Sequence, residues 1–465
     1  MLFALPREMV FRFLSEWLSP NDLSLLDSAL TERAVRQCFL DILSEEQFVI
    51  TQQHHGVVSD NAGLDFIFRR GVRVQAILTA GYLNLPGRAE LFLQYLELRG
   101  QSLKFFECHW MPSEALRGMA SARPALEEFK TSFRMDEDDE LDPEGDALFL
   151  AVVPALSRTL RRLTLTGSDY KQHSAASAAA MFGAAEHTLH DLNIESVDDD
   201  AALAALCRCN NQLRKLQVTT NCTPGNEGLR AIAAGCPLLE HLRIDSYGVH
   251  RVAWLLDDIS PGMLALARGL SHLQCFEYKC DGHFPPAGLR ALAQHCPELQ
   301  EVSIANASHL DEGSVVELAR LNLRKLCLAD AALVTDSTVA AIALHCPQIQ
   351  QLALRGMRAA TEEAYVLLKG AKLKNLSLQV AITESGAGAI ADNCPELEVL
   401  TFSGLACNDA AVRVLLLRCA KLSELNVCYG DGEGAAEAAL GVTEGVQALI
   451  NERGISVGRD PLRWF

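Results

Sequence analysis

Along this chain the apolar positions recur in one short phrase. A Leu is followed by two residues, a Leu or relative, one residue, and a further aliphatic. It reads LRRLTL at 160, LHDLNI at 189, LRKLQV at 213, LEHLRI at 239, LQCFEY at 273 and LQEVSI at 299. It continues as LRKLCL at 323, IQQLAL at 349, LKNLSL at 373, LEVLTF at 397 and LSELNV at 422, with weaker copies at 74, 103 and 126. Steps of 23 to 26 residues predominate, and longer ones of 29 to 34 mark insertions. A fixed period in this range predicts a stack of repeats, each one supersecondary unit that cannot bury its apolar face alone.

The unit from 323 to 347 shows how one repeat is built. Leu326 and Leu328 stand two apart and share one face of a short strand, so Lys325 and Cys327 take the other. Thr335 or Asp336 is placed to cap a helix. Val339, Ile342, Ala343 and Cys346 then follow at helical spacing, and Pro347 ends the helix. Strand, turn, helix and return predict an α/β leucine-rich-repeat solenoid: a right-handed superhelix with a parallel concave sheet and convex helices. About 13–14 repeats span 71–465, after a helical segment at 1–44 and a connector at 45–70.

The cysteines fit this frame. Cys209, Cys236, Cys296, Cys346, Cys394 and Cys419 hold the last core position of their repeats' helices, where a small soft side chain suits the stacking. His295-Cys296 and His345-Cys346 suggest metal ligands only until that position is recognised. Among 15 cysteines there is no Cys-x-x-Cys pair, so no structural metal and no cofactor is expected. Free thiols without an export signal point to the cytoplasm or nucleus. A net charge of −18 argues against a nucleic-acid partner, and no apolar run is long enough for a membrane span. Signatures of nucleophile, phosphate cradle or dinucleotide site are absent, so the chain is not expected to be an enzyme.

The first forty residues predict three short amphipathic helices. Met9, Val10, Phe13, Leu14, Trp17 and Leu18 make one apolar face. Ser19-Pro20-Asn21-Asp22 opens a second helix with Leu23, Leu26 and Leu30 as its stripe, and a third turns Val35, Cys38, Phe39 and Ile42 inward.

The strand-turn-helix units with Leu-x-x-Leu-x-Leu and a terminal Cys-Pro resemble the cysteine-containing leucine-rich repeats of F-box proteins. Positions where that family often carries Asn or Cys hold Ser168, Val197, Asn221, Tyr247, Asp281, Ala307 and Ala331 instead. The string Leu-Pro-x-Glu-Met, Phe-Leu, Trp-Leu, Asp-Leu resembles an F-box, although the later Cys-x-x-Trp is missing. The resemblance implies a substrate-recognition subunit of a Skp–cullin–F-box type ubiquitin ligase, with a Skp-type adaptor, a cullin scaffold and a target protein as partners. It assigns adaptor contact to Leu5, Pro6, Glu8, Met9, Phe13, Leu14, Leu18, Asp22 and Leu23. A non-catalytic scaffold, or a binder of the ribonuclease-inhibitor type, stands as the alternative, with the N-terminal helices acting only as a cap.

Alternation also predicts the partner-binding face. Charge of both signs gathers between 191 and 301, centred on His241, Arg243, Asp245, Glu277 and Lys279, with Lys215, Glu301 and Lys325 beside them. The same residues also read as cross-strand ion pairs on a solvated sheet. The insertion 246–262 adds Trp254 as a candidate anchor or as helix core. The acidic stretch 134–146 reads as a loop rather than a calcium site.

Overall fold

A computed structural model describes residues 6–45, 49–50, 61–79, 81–109, 111–132, 152–156, 158–166, 175–182, 188–197, 199–220, 223–246, 258–280, 282–357, 360–378, 380, 382–403, 409–428 and 444–458. Leu5, Trp254, the side chain of Trp17, the acidic stretch 134–146 and most of the 246–262 insertion lie outside the described residues. Among the described residues, fifteen strands run parallel and follow one another in chain order. All fourteen phrases read from the sequence are strands. The fifteenth, Ser456–Gly458, has no leucine frame and was invisible to the pattern. Two compact units divide the chain at Val218, within the strand Lys215–Thr220.

The first unit opens with the helices Arg7–Arg12, Pro20–Ala29 and Arg33–Ser44. A single π-helical turn, Phe13–Trp17, extends the first of them. The second helix starts as expected, with Pro20 at its first position and reciprocal Ser19–Asp22 hydrogen bonds closing a capping box. The stretch read as a connector contains a further helix, Asn61–Arg70, with Leu64, Phe66, Ile67 and Phe68 buried. The helix Pro20–Ala29 packs on it. Beyond, the strands Ala76–Leu78, Phe105–His109, Glu128–Ser132, Arg162–Thr166 and Asp191–Val197 pair in register. Stacked Phe92, Phe106 and Phe129 fill the core here, with ring centroids 5.1 and 6.1 Å apart.

The second unit repeats the design with aliphatic layers. Strands Glu301–Ile304, Lys325–Leu328, Gln351–Leu354 and Asn375–Leu378 stack Ile304, Leu328, Leu354 and Leu378 in one buried row. Helices such as Pro286–His295, Glu312–Ala319 and Asp336–His345 cover the apolar face. Thr335 caps the last of these, and Val339, Ile342, Ala343 and Cys346 are buried.

Neighbouring repeats are tied at both ends of the helix. At the N-terminal end, Ser337 donates to Glu312 (2.6 Å), the Thr361 amide and hydroxyl donate to Asp336 (2.8 and 2.7 Å), and the Thr383 amide donates to Glu362 (3.1 Å). At the other end the thiols of Cys296 and Cys346 point at the carbonyls of Ala267 and Ala319 in the preceding repeat. Cys236, Cys394 and Cys419 are buried as expected. Cys209 is only half-buried, and in its repeat the neighbouring Cys207 is buried instead. Buried Ala307 and Ala331 donate their backbone amides to the carbonyls of Ala329 and Arg355, each at 2.8 Å, so backbone groups link these neighbouring turns.

No helix among the described residues is long and apolar enough to cross a membrane.

Candidate functional site

Two surfaces emerge, one in each unit. In the first unit the N-terminal face splits in two. Val10 and Leu14 are buried, whereas Met9 and Phe13 are 57% and 40% exposed. The expectation of one continuous apolar face is thus corrected. Met9 and Phe13 stand one α-helical turn apart on the outer edge of the stripe, while Val10 and Leu14, the next residue on from each, face inward. Pro6 and Glu8 are also exposed, and Leu18 is half-buried. Leu14 and Leu23, expected at an adaptor interface, are buried within this chain and are not available to a partner. Asp22 is exposed, but its carboxylate closes the Ser19 capping box. In the third helix Phe39 and Ile42 are inside, whereas Cys38 is exposed.

The second and third helices hold a group the pattern did not predict. Asp27 is 6% exposed, and Arg36 and Arg70 donate to its carboxylate at 2.8 and 2.7 Å. Burial pushes its acidity toward the neutral form, but the hydrogen bonds from Arg36 and Arg70 outweigh it and hold the carboxyl below its ordinary range. The three residues tie the second and third helices to the helix Asn61–Arg70. A charged residue breaking an apolar stripe was the only available signal, since Arg70 is 43 residues away.

The second unit holds the charged face. The strand His241–Ser246 lies in register with Cys275–Lys279, which sets Arg243 beside Glu277 and Asp245 beside Lys279. The Arg243 guanidinium donates to Asp245 at 2.8 Å and lies 3.2 Å from Glu277. Lys279 and Lys325 approach the two oxygens of Glu277 at 3.9 and 3.8 Å. Five of the expected partner-binding residues thus meet on one carboxylate-centred cluster. Glu301 borders it through a 3.9 Å contact from Cys275. His241 is exposed beside the cluster, and Lys215 is exposed in the first unit.

Farther along, the face departs from expectation. The middle position of each strand was expected to face solvent, yet Ser303, Cys327, Ala353, Ser377, Thr401 and Asn426 are all at most 3% exposed. These small side chains sit between strands roughly 4.8 Å apart, and longer neighbours such as Lys325 and Glu301 flank them. Burial accordingly pushes the Cys327 thiol up to about 12.

The first unit has a counterpart on the strands Phe105–His109 and Glu128–Ser132. Glu107 is 8% exposed and pairs with Lys130 at 2.9 Å, and His109 lies 3.2 Å from Ser132. Applying the alternation rule to the weak copies at 103 and 126 finds all four. Among the described residues, no three His, Cys, Asp or Glu side chains converge to hold a metal ion.

No family model matches the chain, and no curated protein matches its sequence. Solved structures that resemble it include the complex of Rad7 and Elc1 in yeast, 13% identical, covering 97% of this chain and 91% of that one, with a TM-score of 0.48. The complex of TLR13 with ssRNA13 is 15% identical and covers 81% of this chain and 52% of that one, with a TM-score of 0.40. The strand-turn-helix ladder itself carries the assignment: the fold of this chain is a leucine-rich-repeat solenoid.

Proposed function

We propose that the chain is a non-catalytic substrate receptor of a Skp–cullin–F-box type ubiquitin ligase, working in the cytoplasm or nucleus. Its N-terminal helices would engage a Skp-type adaptor, and the open sheet face of the second unit would hold a target protein. The observation that carries this reading is the exposed Met9 and Phe13 pair, one helical turn apart, on the segment that resembles an F-box. Apolar side chains at this spacing are the anchors that helix-mediated interfaces use. The work done is tethering, which raises the local concentration of target lysines near a charged conjugating enzyme. The chain itself supplies no catalytic group.

Burial of Leu14 and Leu23, with the Asp27 ion cluster, favours the second reading, a binding solenoid whose N-terminal helices are only a cap. A pull-down with purified Skp-type adaptor separates the two. The Met9→Asp/Phe13→Asp variant is expected to recover the adaptor about tenfold less well than wild type, as loss of a central anchor does. Equal recovery from both proteins, or none from either, rejects the adaptor reading.

A further inference from the structure

We propose that the second unit carries an oxyanion site for a carboxylate on an acidic peptide segment of the partner. Lys279, Lys325 and Ser303 are its donors, and Glu277 is its built-in occupant. The inference rests on the reading that this face holds a partner, and names the partner's chemistry.

The two lysines of the cluster hold donors that no acceptor engages at hydrogen-bond distance. The ammonium groups of Lys279 and Lys325 stand 3.9 and 3.8 Å from Glu277, outside hydrogen-bond distance, and neither has another hydrogen bond among the described residues. Each offers three N–H donors. Their side chains are only 15% and 21% exposed, so water reaches them poorly. Ser303, in register with Glu277 on one side and Cys327 on the other, is 1% exposed and its hydroxyl has no partner. Arg243 adds a third cation, already engaged with Asp245 and Glu277. Three cations and an orphaned hydroxyl therefore gather around Glu277, while Asp245 engages Arg243 through one oxygen.

Geometry selects the ligand. Glu277 shows that a carboxylate fits between the two lysines, but its own strand holds it too far for either to hydrogen-bond. A carboxylate free of that tether can close to roughly 2.8 Å, the charge-assisted distance. A peptide also brings backbone N–H groups, and Asp245 Oδ1, level with Lys279, is a buried acceptor without a partner. The charge state agrees. Burial, then Arg243 and Lys325, lower the Lys279 pKa, and the nearby carboxylates do not make up the deficit. The chain's net charge of −18 repels an acidic peptide at long range. Salt screens that repulsion beyond about 8 Å, leaving the short-range donors to decide.

Fluorescence anisotropy tests this with a labelled oligoglutamate peptide, an oligoglutamine control and an oligoglutamine peptide bearing one phosphoserine. Wild type is expected to bind the glutamate peptide and not the glutamine one. Glu277→Gln removes the built-in negative charge that competes for the lysines and is expected to tighten binding about five- to tenfold, while Lys279→Ala/Lys325→Ala weakens it tenfold or more. Misfolding cannot raise affinity, so the Glu277→Gln result stands whatever the lysine variant does to stability. Equal binding of glutamate and glutamine peptides, or no gain in Glu277→Gln, overturns the site. A phosphoserine peptide binding more than tenfold tighter than oligoglutamate, with the same lysine dependence, overturns the carboxylate assignment. Adaptor recovery by these variants reports on the N-terminal helices alone, so the two readings fail separately.

Discussion

Asp27 carries the clearest single-residue consequence. Its carboxylate is buried and accepts from two arginines drawn from different helices. Asp27→Asn keeps the shape and removes the charge, so it is expected to destabilise the first unit by about 1–3 kcal/mol, the range for a lost hydrogen bond to a charged group. The folded-state pKa lies below the ordinary value. The contribution is therefore complete above the ordinary carboxylate range and is lost as pH falls through the depressed folded pKa. Denaturant melts of both proteins across pH 2–7 check this. The gap should be constant at neutral pH and close only in acid, and a gap that instead widens in acid contradicts the assignment. The core thiols behave oppositely, since burial pushes Cys296 and Cys394 up to about 12, and they serve packing rather than chemistry.

At the scale of the element, the repeat is secured by its caps. Asp311 accepts from the Ser314 amide of its own helix at 2.7 Å and from Arg290 of the preceding repeat at 2.8 and 2.7 Å. Asp311→Ala removes both the cap and the cross-repeat tie, and is expected to cost about 1–2 kcal/mol in a thermal or denaturant melt. Asp311→Asn should recover part of it, because an amide oxygen still caps. Such elements were largely legible beforehand. Alternating aliphatics located fourteen strands because each must bury every second residue, and Ser19-Pro20 announced its helix by local chemistry alone. What escaped depends on contacts far apart in the chain. The partner of Asp27 at Arg70, the exposure of Phe13 beside buried Leu14, and the burial of Cys327 on the open face all depend on neighbours no local period contains. The charged cluster was half legible: alternation put Arg243, Asp245, Glu277 and Lys279 on one face, but the reach of Lys325 across an intervening strand needed coordinates.

At the scale of the whole molecule, each compact unit has its own candidate surface. The first exposes Met9 and Phe13 and is held together in part by Asp27. The second presents a charged cluster in which the ammonium groups of Lys279 and Lys325 stand outside hydrogen-bond distance of Glu277. The proposed receptor role calls for two such surfaces, one for an adaptor and one for a target. The most direct measurement is hydrogen–deuterium exchange of the full chain with and without purified Skp-type adaptor. The account predicts new protection confined to the segments Arg7–Arg12 and Phe13–Trp17 and to the helix Pro20–Ala29, with the strands of the second unit unchanged. Protection appearing on those strands instead, or nowhere at saturating adaptor, contradicts it.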